Sequence, residues 1–451
     1  MRIAVVGGGI SGNTAAWLLQ HRHEVELFEA EPIPGGHTKT VDLELEGRRV
    51  AADTGFMVYN RRTYPHFCQL LQHLGIEGQL SDMSFSVHCE RSGLEYQGSD
   101  LNGLFAQRSN LIRPSFYRML WDIVRFNREA PAWLERNEED VKLGEYLQRE
   151  GYGRPFMDAY LVPMGAAIWS ARPESFLDFP IRFLIRFMTN HGLLQLRDRP
   201  RWLTIPGGAR RYVQQLLRPL GNRVHTGVRV ERVRRTTDSV ELLLADGSRH
   251  QFDRVVLGLH AEDALRILEE PTLEEREILG TFAYQRNLAV LHTDASMLPQ
   301  RRRAWASWNY HIPGESDRPV AVTYDLNRLQ NLGLKNPLLL TLNPPPRIRS
   351  SCVLDQWHFK HPVFDLRTAA AQAQRPRLRG QQLTHYCGAY WGYGFHEDGV
   401  KSAIVAASEL GVAFADCVGQ TASGGHPPHF DRLPDSASDG HRPAGRLTAA
   451  G

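Results

Sequence analysis

The chain has 451 residues, 53 Lys and Arg against 50 Asp and Glu, and 42% hydrophobic residues. That length exceeds what one core usually holds, so two intimately packed domains are expected, and the hydrophobic share is enough to fill both. A net charge of +3 gives no global field for nucleic acid, and clusters such as Arg301-Arg302-Arg303 read as solvated faces.

The five cysteines, Cys68, Cys89, Cys352, Cys387 and Cys417, are widely spread without CxxC spacing. Neither a disulfide framework nor a zinc site is indicated, and no metal is expected. The N-terminus offers no signal peptide, and no apolar run approaches the roughly 18 residues that span a bilayer. A reduced, cytoplasmic protein is the expectation.

Arg2 to Val6 reads as a short buried strand, Gly7-Gly8-Gly9-Ile10-Ser11-Gly12 as a glycine turn, and Asn13 to Leu19 as a helix. Gly7 allows the tight turn, and Gly9 removes the side chain where a pyrophosphate approaches the backbone. Gly12 lets the helix pack on the strand, so the helix N-terminus at Ile10 and Ser11 holds the anion. A second strand, Glu24 to Glu29, ends in Glu29, about twenty residues past the glycines, where a carboxylate accepts from ribose hydroxyls. Strand, loop, helix and acid in this order indicate a dinucleotide site.

Gly35-Gly36-His37-Thr38 and Asp53-Thr54-Gly55 follow. A glycine pair just after the ribose acid resembles the extended FAD fingerprint of the flavin amine oxidase, protoporphyrinogen oxidase and phytoene desaturase superfamily. The resemblance implies FAD, with Gly35, Gly36, His37 and Thr38 in the fingerprint and Thr54 and Gly55 near the isoalloxazine. This chain has His37 where many members carry arginine.

From Asn60 to about Pro200 the composition changes. Tyr64 to Leu74 is a predicted helix and Met83 to Cys89 a strand with its turn at Arg91-Ser92-Gly93. The stretch Ser115 to Arg136 places Phe116, Met119, Leu120, Ile123 and Phe126 on an apolar face, with Arg118, Asp122, Arg125 and Arg128 elsewhere. Such a helical insertion is a natural place for a substrate cavity. Phe176 to Met188 is the most apolar stretch here. It reads either as a helix on a bilayer surface or, the favoured reading, as a core helix lining an apolar cavity.

The glycine pair Gly207-Gly208 and the helix after it mark a return to the nucleotide domain. Val228 to Val233 and Val240 to Leu244 alternate as a hairpin closed by Asp246-Gly247, and Asp253 to Leu257 is another strand. The superfamily resemblance implies an adenine contact from the backbone of Val228 or Val230. Leu288 to Asp294, Trp305 to Tyr310 and Val320 to Tyr324 read as strands of a second sheet. His292 and Asp294 lack further ligands at useful spacing, which favours a structural role over a metal site.

Near the end, a strand stops at Gly388, an aromatic-glycine loop follows, and a helix is expected to begin at Gly399, with Val400, Ala403, Ile404 and Ala407 on its packed face. This resembles the superfamily's C-terminal flavin motif. It implies that Gly388, Gly399 and Val400 contact the cofactor and that a helix N-terminus stabilises the anionic reduced flavin. Ala389 stands where relatives often have Asp or Glu. His396 and Glu397 are candidate bases, or orient the aromatic loop by hydrogen bonds. Tyr390, Trp391 and Tyr393 either wall the substrate or belong to the core, and His191 is a weaker catalytic candidate.

The segments GGHT, DTGFMVYN, NHGLL, LHTD, WASWNY and CGAYWGYGFHEDG resemble the bacterial FAD-dependent amine oxidase-like proteins associated with cyclopropane fatty acid synthases. The implied fold is α/β, with a Rossmann-like FAD-binding domain (1–60, 200–260, 381–412) and an interleaved α+β substrate domain (61–199, 261–380). The remainder, 413–451, reads as a disordered tail. The implied function is an FAD-dependent oxidoreductase that desaturates or oxidises a lipid acyl chain by hydride transfer to flavin N5. The chain would act at the inner face of the membrane, alongside a cyclopropane fatty acid synthase-like methyltransferase. No second glycine fingerprint for a nicotinamide is present, so oxygen, a quinone or a partner protein is the expected electron acceptor. The alternatives are a fatty acid double-bond isomerase, an amine oxidase, for which no lysine near flavin N5 is evident, and a non-catalytic flavoprotein partner of the methyltransferase.

Overall fold

The computed structural model describes residues 1–136, 139–195, 199–314 and 320–419. Its first organising element is a five-stranded, all-parallel sheet in the order Val224–Thr226, Glu24–Glu29, Arg2–Val6, Arg254–Leu257, Thr384–Tyr386. Parallel strands need both faces covered, which is why Arg2–Val6 carries almost no polar residue and is buried from Ile3 to Val6.

The helix Ile10–Leu19 lies against this sheet, and all ten of its residues are buried. The helix His396–Glu409 packs against it on the same face of the sheet, presenting Gly399, Ala403, Ala406 and Ala407. A Cβ on Gly399 would stand 2.7 Å from Ile10 Cγ2, so small residues set how closely the two helices approach. A three-stranded antiparallel sheet, Val230–Arg235, Val240–Leu244 and Arg249–Phe252, covers the opposite face, sharing a core with Ala4, Val6, Phe28, Val255 and Leu257. The Asp246-Gly247 turn joins the second and third of these strands. The first two are closed by Thr236 to Ser239 instead, contrary to the expected hairpin.

The second organising element is a seven-stranded sheet in the order Val353–Val363, Ala283–His292, Leu339–Leu342, Ala321–Asp325, Trp308–Ile312, Phe85–Cys89, Leu94–Gln97. Parallel pairing of Phe85–Cys89 with Trp308–Ile312 joins two distant stretches of chain in one sheet. The two halves interleave finely. Val50 and Ala52, from the hairpin Thr40–Leu45/Arg48–Asp53, belong to the core of the seven-stranded sheet, whereas Phe67, Leu70 and Leu71 of helix Pro65–His73 belong to the core of the parallel sheet.

Helix Pro114–Glu129 buries Phe116, Met119 and Phe126 as its periodicity demands, but it also buries Asp122 completely. That carboxylate accepts from Arg118 Nε and Gly153 N, both at 3.1 Å, so a residue expected on the polar face is a buried, paired tie to the next loop. The stretch 176–188 is broken at Pro180 into Pro173–Leu177 and Ile181–Asn190. Phe176, Phe179, Ile181, Leu184, Ile185, Phe187 and Met188 are all buried, which makes this the core helix and not a bilayer face. Ordered structure continues past 413 in a short helix, Phe414–Val418, whose Phe414 and Cys417 are buried, so the tail expected to be disordered starts too early; 420–451 lie outside the described residues. Among the described residues no helix is long and apolar enough to cross a membrane.

Candidate active site

A cavity of about 430 Å³ runs from the carboxyl edge of the parallel sheet to the face of the seven-stranded sheet. Its first end is made largely of backbone. Gly7 turns the chain out of the first strand with φ +102°, a conformation side chains rarely adopt, and donates its N–H to Phe28 O at 2.8 Å. A Cβ on Gly12 would lie 1.8 Å from Gly7 O, so only glycine lets the helix start this close to the strand. Nothing comes within 4 Å of a Cβ built on Gly9, which leaves the cradle open on that side. The helix Ile10–Leu19 has no acid in its first turn and no side-chain cap, so its leading N–H groups are available to an anion.

Glu29 lines this end, accepting from Gly8 N at 2.5 Å and Glu31 N at 2.8 Å. Gly35, Gly36 and His37 close over it. His37 stacks on Phe359 at 4.9 Å, and its buried Nε2 has no partner. Burial first, then the neighbouring His361 and His260, hold the His37 imidazole neutral, well below its ordinary pKa. Lys360 also lines this end, with Nζ 2.6 Å from Glu262 and 3.4 Å from Asp263.

The other end is apolar. Trp169, Phe187, Tyr393 and Phe395 come from the helical insertion and the aromatic loop, with Trp169 and Phe187 ring centroids 4.5 Å apart and Trp169 Nε1 donating to Tyr393 O at 3.1 Å. Met57, Met83, Trp308, Tyr324, Leu340 and Leu342 supply the opposite wall from the seven-stranded sheet and its neighbours. Thr54 and Gly55 lie in the cavity, as do Gly388 and Tyr390.

His191 lines this end and is 7% exposed. Phe187 O can only accept, so the 2.9 Å contact fixes the proton on Nδ1 and leaves the Nε2 lone pair free of it. Burial lowers its pKa to about 4, so the ring is neutral at physiological pH.

Several expected site residues stand elsewhere. Thr38 is buried behind the cavity wall, where its hydroxyl bonds Tyr212 OH and His396 Nε2. His396 does line the cavity, stacked on Phe56 at 3.5 Å, but its Nε2 is engaged by Thr38 and Tyr212, both oxygens at hydrogen-bonding distance, and burial pushes its pKa down to about 3. It positions the loop. Glu397 faces away: its oxygens accept from His66 N at 3.2 Å, His66 Nδ1 at 2.7 Å and Phe67 N at 3.0 Å, capping helix Pro65–His73. The C-terminal helix begins at His396, three residues before Gly399, so its N-terminus is presented by the aromatic loop. Gly399 and Val400 lie in the helix contact and the core. Val228 N donates to Glu29 O, Val230 packs in the core beside Phe28, and neither residue lines the cavity.

His292 and Asp294 are buried and structural. His292 Nε2 meets Thr341 Oγ1 at 2.7 Å, and Asp294 accepts from Arg349 and Ser296. Three ligand-type groups do meet at His88, Glu90 and His311, within 4.8 Å of one another, but Arg347 Nη1 stands 2.7 Å from Glu90 and supplies the positive charge there. Residues that sequence reasoning did not select include His260, Phe359 and His361. His260 lies just past Gly258, which follows the strand Arg254–Leu257 as Gly7 follows Arg2–Val6, and Phe359 and His361 share one face of Val353–Val363 at period two.

The glycine cradle and the open helix N-terminus fit the pyrophosphate of a flavin dinucleotide, and Glu29 fits its ribose. No curated protein sequence matches the chain. In fold it is similar to putrescine oxidase bound to putrescine (TM-score 0.64, 14% identity, 91% of this chain and 99% of that one). It is similar, too, to a CLA-producing fatty acid isomerase from P. acnes (0.63, 13%, 89% and 96%). Cyclohexylamine oxidase from Brevibacterium oxydans IH-35A gives 0.61, 16%, 91% and 99%. The family model of flavin containing amine oxidoreductases matches residues 10–292, more than half of the chain. The chain therefore belongs to the flavin-containing amine oxidoreductase family and is an FAD oxidoreductase.

Proposed function

We propose that the chain oxidises a lipid acyl chain, removing two hydrogens to leave an alkene. One observation carries this: the end of the cavity away from the glycine cradle is walled by aromatic and aliphatic side chains from both halves of the molecule. Among the described residues, the carboxylates that line the cavity, Glu29 and Asp263, lie at the glycine end, so none faces the apolar end to pair with an ammonium. The similarity of the CGAYWGYGFHEDG segment to proteins associated with cyclopropane fatty acid synthases narrows the substrate to monounsaturated, methylated or cyclopropane chains, with a methyltransferase of that kind as the functional partner.

FAD, when bound, supplies the hydride acceptor. The protein's own part is to hold the chain still and dry: Trp169, Phe187 and Tyr393 grip methylenes by burial, each worth about 0.8 kcal/mol. His191 Nε2 is the proton acceptor, with its lone pair fixed by the Nδ1–H bond to Phe187 O. Oxygen, a quinone or a partner protein then takes the electrons.

Anaerobic absorbance of the holoprotein tests the reading. Bleaching of oxidised flavin by one acyl-chain class, and by none of a panel of amines, is expected; bleaching by an amine alone overturns it. His191→Gln retains FAD and slows that bleaching by about 10² to 10⁴-fold. A second reading, favoured by the fold shared with a fatty acid isomerase, returns the hydride to another carbon of the same chain, so no electrons leave.

A further inference from the structure

The largest exposed apolar residues of the helical insertion fall together. Ile112 is 85% exposed, Leu101 75%, Trp121 62%, and Leu111, Val124 and Tyr117 between 46% and 49%. Tyr117, Trp121 and Val124 recur at i, i+4 and i+7 on helix Pro114–Glu129, and Tyr117 OH donates to Leu111 O at 2.9 Å, so the helix stripe and the preceding turn form one surface. A monomer in water gains nothing by displaying it.

The charge around it is mostly positive. From Asp100 to Glu129 the sequence holds five arginines, Arg108, Arg113, Arg118, Arg125 and Arg128, and three acids, Asp100, Asp122 and Glu129, of which Asp100 accepts from Gly103 N and Glu129 pairs with Arg128. Asp122 is buried beneath Arg118 and Arg125. Among the described residues no carboxylate lies within salt-bridge distance of Arg108 or Arg113. An apolar stripe with a tryptophan and a tyrosine, fringed by arginines, matches the boundary between acyl chains and anionic headgroups. The buried face of the same helix, Phe116 and Met119, shares a core with Met57, Tyr324, Leu340 and Leu342 of the cavity wall.

We propose that this face, and not the stretch around 176–188, is where the protein docks on an anionic lipid bilayer. The proposal stands on the surface alone and does not require the acyl-chain reading, so its test involves no turnover. FAD-loaded full-length protein is co-sedimented with vesicles of saturated phosphatidylcholine, with and without saturated phosphatidylglycerol. Binding to the anionic vesicles, weakened by salt, is expected. The double variant Ile112→Glu/Trp121→Glu is expected to lower the partition coefficient by about tenfold or more, and Arg113→Gln by roughly fivefold. Leu273→Glu, at an exposed leucine on another element, leaves it unchanged. Flavin content and melting temperature report that each variant is folded. Absent binding to either vesicle, or binding that the double variant retains, overturns the proposal. So does a dimer in light scattering that the double variant dissolves, because a second copy then covers the face.

Discussion

The two ends of the cavity are built from different materials. The glycine end is backbone: turns, a helix N-terminus and close contacts that tolerate no side chain, with the Glu29 carboxylate beside them. The apolar end is side chain, assembled from a helix, an aromatic loop and a sheet brought together from residues hundreds of positions apart. The first kind of site is set by local stereochemistry and should fail outright when one atom is added. The second is a sum of many contacts and should weaken by degrees, changing which substrate is taken.

Gly12→Ala is the sharpest way to break the first end. The added Cβ would meet Gly7 O at 1.8 Å, so the helix must move, and FAD affinity should fall more than a hundredfold, read from flavin absorbance of the purified protein. Next comes Glu397→Gln, which separates two roles for one residue. As the cap of helix Pro65–His73 it should cost about 1.5 to 3 kcal/mol of stability in a denaturant melt while flavin reduction in the folded fraction is unchanged. A lost rate with intact stability would restore it as a base. Leu193→Asn, at the apolar end, should keep FAD and raise KM for the acyl substrate by roughly tenfold.

The smallest effect is a pH dependence. His191, His292, His311 and His361 are lowered to about 4 and His396 to about 3, all chiefly by burial. Between about 6.5 and 4 the unfolded chain binds protons that the folded one refuses, so stability falls as pH falls through that window. Asp53 and Asp398, raised to about 6 by burial, act in the opposite sense, keeping protons in the folded state as pH drops below 6. With His37, held neutral in the same way, six histidines against two aspartates leave a net loss, and the melting temperature should be on the order of 5 °C lower at pH 5 than at pH 7.5.

What the sequence reveals follows the same division. Gly7, Gly9, Gly12 and Glu29 are legible because their chemistry is fixed by spacing along one βαβ unit. The core helix over 181–190 is legible from its apolar density. Glu397 is not, because its partners, the N–H groups of His66 and Phe67, are some 330 positions away and leave no local pattern. Asp122 misleads for a related reason: a charge on a helix reads as a solvent face until Arg118 and Gly153 are seen to bury it. The start of the last helix is displaced by three residues because Asp398, accepting from Phe395 N at 3.0 Å, caps it earlier than the glycine suggests. The apolar end itself depends on Trp169, Phe187 and Phe395 meeting in space, which no periodicity within one segment can announce.

The most direct test of the account is the mass of the acyl chains themselves. FAD-loaded protein is incubated in air with phospholipids carrying monounsaturated, methylated or cyclopropane chains, and the chains are then released and weighed by mass spectrometry. The account predicts that one class loses two hydrogens. An unchanged mass with a moved double bond would make the protein an isomerase, and unaltered lipids beside an oxidised amine would contradict the acyl-chain assignment.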